Sequence, residues 1–205
     1  RTIIVNASSL AIGQNTTGCG VVADAHAYLD WLHAQRAALA GPLAATRAAR
    51  QAWLAAIRAQ PRLQDPGHQA SAAQPIHPGR IVADLRAALP RDGIVLVDSG
   101  AHRAFAGHYW AAYAPRTYIS ATNLGPMGWA IPAAVGVSCA RPGRKVAVIT
   151  GDGCMHMHGL EVATAARYGL PIVYVVINNA ALGNVWLRAH TEGPVPDALT
   201  FADAA

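Results

Sequence analysis

The chain has 205 residues, 53% hydrophobic and 13% charged, with a formal net charge of +5 and a pI near 9.5. That balance describes a globular chain able to bury a core and excludes a disordered one. Its arginines are scattered, without a Lys/Arg run or interleaved aromatics, which excludes a nucleic-acid binder, and no apolar run reaches ~18 residues, which excludes a membrane helix.

Residues 2–5 and 19–22 are predicted as short strands, and Asp24 is placed to cap a helix over 25–39. Gly18-Cys-Gly-Val-Val-Ala23 has the letters of a dinucleotide fingerprint, but its glycines precede a strand instead of linking strand to helix. Gly41-Pro42 is expected to break the helix. A second helix over 43–60 then carries Trp53, Leu54 and Ile57 as an apolar docking stripe. Residues 61–75, rich in Pro, Gly, Gln and Asp, read as a linker. The resulting division is 1–40 as the end of one domain, 41–75 as a helical linker and 76–205 as a second domain. Cys19, Cys139 and Cys154 show no paired spacing, which argues against a disulfide framework and for a reducing cytoplasm.

The second domain opens with an amphipathic helix over 81–89 and a strand over 94–97 that runs into Asp98-Ser-Gly-Ala-His102. A helix over 103–113 and a short strand over 117–120 follow. The β-branched run 146–150 reads as a buried strand that breaks at Gly151-Asp152-Gly153. A helix over 159–168 is stopped by Gly169 and Pro171, and a last apolar run, 172–177, ends in Asn178-Asn179. Strand, helix, strand implies parallel pairing, with both loops at the carboxyl edge of the sheet, where open α/β sheets bind ligands. The fold class is therefore α/β, a doubly wound parallel sheet preceded by the end of a second α/β domain.

Two such loops on adjacent strands, ~4.8 Å apart, let Asp152 and Asn179 reach one cation from two sides. Mg²⁺ takes oxygen ligands in an octahedron, so a carboxylate, an amide oxygen and a loop carbonyl leave about three positions for phosphate oxygens and water. A helix N-terminus beside the loop favours the anion. The chemistry is metal-bridged diphosphate binding. Cys154-Met-His-Met-His158 does not converge two imidazoles on one ion, so a transition-metal site is not expected.

Gly151-Asp152-Gly153 with Asn178-Asn179, Asp152 and Asn179 lying 27 positions apart (179 − 152), resembles the signature of thiamine diphosphate enzymes. The run from Asn123 to Gly136, Asn-Leu-Gly-Pro-Met-Gly-Trp-Ala-Ile-Pro-Ala-Ala-Val-Gly, resembles the segment that holds the aminopyrimidine in their acetolactate synthase-like branch. The resemblance covers about residues 75–188. It implies thiamine diphosphate and Mg²⁺, with Asp152, Asn179 and the Ala181 carbonyl as metal ligands. The diphosphate then falls to backbone around Gly151, Gly153, Cys154 and Leu182. His102 joins them because relatives place a histidine in its loop, although Ala101 stands where they often carry Gln. Met127 is implied as the apolar wedge that bends the cofactor, and Gly125 as the carbonyl facing its 4′-amino group. Met127 as a gap-filling core residue is the alternative. The first forty residues resemble the tail of the middle domain, which binds flavin in some relatives, so FAD stays open.

The resemblance implies a carboligase or decarboxylase of 2-oxo acids, with the cofactor as electron sink. Alternatives are a decarboxylase of the benzoylformate or oxalyl-CoA type, or a non-catalytic diphosphate-binding module. Relatives protonate the pyrimidine with a Glu from a pyrimidine-binding domain, usually on a partner subunit. Glu161 and Glu192, the only glutamates, sit in the wrong context. The chain alone is thus expected to be an inactive part of a homodimer or tetramer. After the double Asn, the branch continues with a Met and then a Trp that shapes the acceptor pocket. Here Asn184 and Arg188 stand at those positions, and Trp186 comes two residues early, about 200° round a helix. A guanidinium at 188 implies a polar or anionic acceptor, unless Arg188 turns to solvent.

Overall fold

The structure is a computed structural model that describes residues 3–12, 18–60, 65–193 and Thr200. The chain divides into two compact units, residues 1–62 and 63–205.

In the first unit, β1 (Ile3–Asn6) pairs in parallel with β2 (Cys19–Val22), and α1 (Ser9–Ile12) lies between them in the chain. Within the Gly18–Ala23 run, Cys19–Val22 is thus a strand with Gly20 inside it, and the run's glycines do not form a loop linking a strand to a helix. Asp24 opens α2 (Ala25–Ala34), its carboxylate accepting the N–H groups of His26 and Ala27 at 2.9 and 3.1 Å. The helix boundaries that follow differ from expectation. α2 ends at Gln35, α3 (Arg36–Ala45) runs through Gly41 and Pro42, and α4 (Arg47–Ala59) begins after Thr46. Pro42 removes one N–H but leaves the good helix formers on both sides intact. The break falls instead at Thr46, where side chains satisfy the terminal carbonyls. Its hydroxyl donates to the Pro42 carbonyl at 3.2 Å and Arg50 donates to that of Leu43 at 2.7 Å. Trp53, Leu54 and Ile57 are exposed along α4.

Residues 61–64 of the expected linker lie outside the described residues; Pro66–Ala70 forms a 3₁₀ turn. The second unit then runs α5 (Pro78–Ala88), β3 (Ile94–Val97), α6 (Ala101–Tyr109), β4 (Tyr118–Ser120), α7 (Ala130–Ala140) and β5 (Val146–Gly151). It continues with α8 (Asp152–His158), α9 (Glu161–Arg167), β6 (Ile172–Ile177) and α10 (Gly183–Glu192). The four strands form a parallel sheet in the order β4-β3-β5-β6.

Successive residues of β3 and β5 alternate between two cores. Val95, Val97, Ala147 and Ile149 pack with Val82 of α5 and Ala106 and Tyr109 of α6. Ile94, Leu96, Val146 and Val148 pack with Ala130 and Ala134 of α7. Helices on both faces explain why these strands read as continuous apolar runs. The sheet is doubly wound, as the sequence implied.

Two helices here also depart from expectation. α6 begins at Ala101 and ends at Tyr109, because Trp110 turns extended and buries its indole under the Arg86 guanidinium, 4.6 Å from the ring centroid. The helix expected over 159–168 is α9, but a further helix precedes it: α8 starts at Asp152 itself, whose Oδ1 accepts the Gly153 N–H at 2.9 Å. α8 and α9 are separated at Gly159, where a Cβ would stand 2.5 Å from the Met155 carbonyl oxygen. Among the described residues no helix is long and apolar enough to cross a membrane.

Candidate functional site

From β3 the chain passes through α6 to β4 on one side, then crosses back through α7 to β5 on the other side of β3. The loops leaving β3 and β5 therefore diverge and open a crevice at the carboxyl edge, the switch point at which such sheets take ligands. A cavity of about 410 Å³ lies there.

Four loops line it. Ser99, Gly100, Ala101, His102 and Arg103 come from the end of β3 and the start of α6, and Gly125 and Met127 from the loop after β4. Gly151, Asp152, Gly153 and Cys154 come from β5 and α8; Asn179, Ala181, Leu182 and Asn184 follow β6. The sequence-predicted residues are thus brought together apart from Arg188. That residue is exposed on α10 and does not line the cavity, so the guanidinium expected from it is not delivered there.

The metal candidates sit side by side because β5 and β6 pair with Gly151 opposite Ile177, so Asp152 and Asn178-Asn179 leave the sheet from neighbouring strand ends. Oδ2 of Asp152 is buried and has no hydrogen-bond partner among the described residues. The turn after β6 is held by Asn178, whose Oδ1 accepts the Ala180 N–H at 2.9 Å, with Ala180 itself at φ +53°. Asn179 packs against Gly183 so closely that a Cβ there would lie 2.6 Å from its amide nitrogen. Ala181 bridges to Thr200 in antiparallel fashion.

Beneath the crevice lies Asp98, almost fully buried. Its carboxylate accepts the Thr150 hydroxyl and the Ser99 N–H, each at 3.0 Å. The ring of His102 is buried between Gly100 and Gly151; a Cβ on either would come within 2.5 and 3.2 Å of its Cε1. Burial lowers the His102 pKa below its usual value, outweighing Asp98 and Asp152, whose charges favour the protonated ring. Its Nε2 has no partner among the described residues. Cys154 is buried with its thiol donating to the Ser99 carbonyl at 3.2 Å, and burial followed by the Asp98 charge pushes its pKa up.

Gly125 and Gly128 both lie in the left-handed region, at φ +67° and +80°. A Cβ on Gly128 would come 2.3 Å from Nδ1 of His158, so this loop rests directly on α8. The Gly125 carbonyl already accepts the Ser99 hydroxyl at 2.6 Å, leaving its second lone pair for another donor. Met127 lines the cavity wall beside it.

Other sequence candidates stay apart. His158 supports the Gly128 loop, and among the described residues no three His, Cys, Asp or Glu side chains converge on a metal position. Glu161 accepts the Thr164 hydroxyl at 2.9 Å and does not line the cavity; the side chain of Glu192 lies outside the description. Sequence reasoning missed Arg103 and Ser99. The available signal was their position immediately beside His102 and Asp98 in a loop already marked as functional.

The donor set fits a Mg²⁺-bridged diphosphate: a buried carboxylate oxygen in want of a partner, a neighbouring amide and carbonyl, and an adjacent imidazole. Residues 98–198 match the family described as thiamine pyrophosphate enzyme, C-terminal TPP binding domain. Acetolactate synthase isozyme 3 large subunit of Escherichia coli K12 is 38% identical over 113 residues, 55% of this chain and 20% of that protein. An acetolactate synthase of Mycobacterium leprae is 37% identical over 110 residues, 54% of this chain and 18% of that protein. A solved structure of the Rhodococcus jostii RHA1 thiamine diphosphate-dependent 4-hydroxybenzoylformate decarboxylase aligns with a TM-score of 0.60 at 26% identity. The alignment covers 66% of this chain and 26% of that one. The matched region spans about a fifth of the length of these curated relatives.

Proposed function

This chain belongs to the thiamine diphosphate-dependent enzymes, in their acetolactate synthase-like branch, and we propose that it is the diphosphate-binding part of a carboligase or decarboxylase of 2-oxo acids. Residues 76–205 would form that part and 1–40 the end of a middle domain; 41–75, which the two compact units divide between them after residue 62, would connect them. The observation that carries the reading is the orphaned, buried Oδ2 of Asp152 beside Asn179 and Ala181 at the sheet's switch point.

When bound, thiamine diphosphate supplies the carbanion and the electron sink for a 2-oxo acid. The chain's own residues bind and orient. Asp152 Oδ2, the Asn179 amide oxygen and the Ala181 carbonyl would hold Mg²⁺. Backbone N–H groups near Gly153, Cys154 and Leu182 would take the diphosphate, with the His102 ring closing the site from the β3 side. Gly151 has no side chain, so the His102 ring can lie flat against the strand end. Met127 would support the cofactor, and the Gly125 carbonyl, which already accepts the Ser99 hydroxyl, would accept from its amino group. A pyrimidine-binding domain of a partner subunit supplies the activating carboxylate, so the working form is a homo-oligomer. The exposed thiols of Cys19 and Cys139 suit a cytoplasmic setting.

Calorimetric titration of the intact protein tests this. Thiamine diphosphate should bind with Mg²⁺, bind far more weakly with chelator, and NAD should not bind. The 205 residues alone should release no CO₂ from any 2-oxo acid, whereas the intact oligomer should. Turnover by the isolated chain would contradict the need for a partner domain, and cofactor binding without turnover by the oligomer would favour a non-catalytic module.

A further inference from the structure

The cavity contains a cation that the diphosphate reading does not use. Four arginines of the second unit are less than fully exposed among the described residues: Arg80, Arg86, Arg103 and Arg144. Three are partnered. Arg80 and Arg144 pair with Asp84 and Asp92, and Arg86 donates to the Leu89 and Pro90 carbonyls. Arg103 lies on the first turn of α6, where its backbone N–H donates to the Gly100 carbonyl at 3.1 Å, but its guanidinium has no hydrogen bond or ion pair with any described residue. It lines the cavity, where the other formally charged wall residue is Asp152. A partly desolvated guanidinium is costly without an anion, so its place calls for one from outside the chain.

Its position decides which anion. A Cβ on Gly125 would lie 3.5 Å from Nη1 of Arg103 and 3.7 Å from the Ala121 carbonyl, so the guanidinium faces the loop that follows β4. Its charge also acts on Tyr118 of β4, partly offsetting the rise that burial imposes on that phenol. Asp152 follows β5, two places along the sheet from β4, a separation of ~10 Å. The Mg²⁺ and diphosphate belong to the β5–β6 side. Arg103 stands at the other end, beside Gly125 and Met127, where the reacting end of the cofactor would be held.

We propose that Arg103 is a specificity residue that binds the second carboxylate of a dicarboxylic 2-oxo acid, an inference that rests on the function proposed above. A planar guanidinium takes a carboxylate through two parallel N–H···O bonds. It is unsuited to the carboxylate that leaves as CO₂. Holding that charge would stabilise the substrate more than the transition state, in which the charge disperses, and would slow the reaction. A spectator carboxylate carries its charge unchanged through the reaction, and binding it positions the oxo carbon without that penalty.

The test uses the intact protein loaded with thiamine diphosphate and Mg²⁺, as wild type, Arg103→Leu and Arg103→Lys. The ratio of kcat/KM for 2-oxoglutarate to that for pyruvate is measured, together with calorimetric affinities for glutarate, butyrate and the cofactor. Wild type should prefer 2-oxoglutarate and bind glutarate over butyrate. Arg103→Leu should lower the substrate ratio roughly 100-fold, mainly through KM, with the glutarate preference lost; Arg103→Lys should recover part of both. A wild type that binds cofactor but prefers pyruvate overturns this inference alone. So does an Arg103→Leu protein whose cofactor affinity falls as far as its glutarate affinity, which places the guanidinium on the cofactor. A wild type that binds no thiamine diphosphate overturns the parent reading and this one with it.

Discussion

Replacing Asp152 by Ala should separate stability from ligand binding. Its Oδ1 accepts the Gly153 N–H at 2.9 Å, whereas its Oδ2 is buried without a partner among the described residues. A made hydrogen bond of this kind contributes ~1 kcal/mol and an unsatisfied buried polar atom costs ~1–3 kcal/mol. Truncation removes both, so the ligand-free variant should lie between equal to wild type and about 2 kcal/mol more stable. For a unit of this size, 1 kcal/mol moves Tm by roughly 3–4 °C, which gives a rise of at most ~8 °C. Cofactor and Mg²⁺ at 100 times Kd should stabilise wild type by about 2.7 kcal/mol and the variant hardly at all. The order of the two melting temperatures should therefore narrow or invert on adding ligand. Scanning calorimetry with and without thiamine diphosphate and Mg²⁺ reads this directly. An Asp152→Ala protein that melts well below wild type without ligand would show that Oδ2 is satisfied after all. One stabilised by the cofactor as strongly as wild type would remove Asp152 from the metal site.

Gly128→Ala places a Cβ on the His158 ring in a backbone at φ +80°, so it should destabilise by about 1–3 kcal/mol in urea unfolding and weaken cofactor binding, because the Gly125–Met127 loop must lift from α8. Cys19 and Cys139 are exposed while Cys154 is buried with a raised pKa, so brief iodoacetamide treatment read by mass spectrometry should label the first two and spare the third. The His102 pKa is depressed in the fold, so the unfolded chain takes up that proton first as pH falls. Its contribution to stability should be intact above the unfolded value of about 6.5 and diminish as pH falls from there towards the folded value. His102→Gln should flatten that part of the stability–pH curve, and a variant with the wild-type slope would place the titration elsewhere.

The elements that position the site were legible because their signals are local. Continuous β-branched runs marked β3, β5 and β6 to within a residue, and Gly-Asp-Gly and Asn-Asn marked the loops they feed. Helix ends were less legible. The Pro42 signal failed because the side chains that satisfy the Pro42 and Leu43 carbonyls lie four and seven residues on, at Thr46 and Arg50. Arg188 lies off the cavity for a different reason. Counting along α10 fixes which face a residue shares, but not which face meets the cavity; that depends on the turn at Ala180 and the packing of Gly183 on Asn179.

What local signals could not supply was strand adjacency. All three crossovers in the second unit join parallel strands, and each reads alike in sequence whether it spans neighbours or skips one. In the simple order β3-β4-β5, the loops after β3 and β5 would stand ~10 Å apart, with the Gly125 loop between them. The observed order makes β3 and β5 neighbours, with Val97 opposite Ile149. That register sets Asp98 beside Thr150 at 3.0 Å and lets the His102 ring lie against Gly151. It also places the Gly125 loop on the far side of β3, where the Arg103 guanidinium of α6 faces it. One choice of strand order therefore separates the two charged walls of the cavity, the carboxylate towards β6 and the guanidinium towards β4. A ligand that satisfies both must be anionic at one end and carry a cation-bridged anion at the other. A Mg²⁺-diphosphate cofactor reacting with a dicarboxylic 2-oxo acid has that distribution of charge, whereas a monocarboxylic substrate would leave the Arg103 end unpaired.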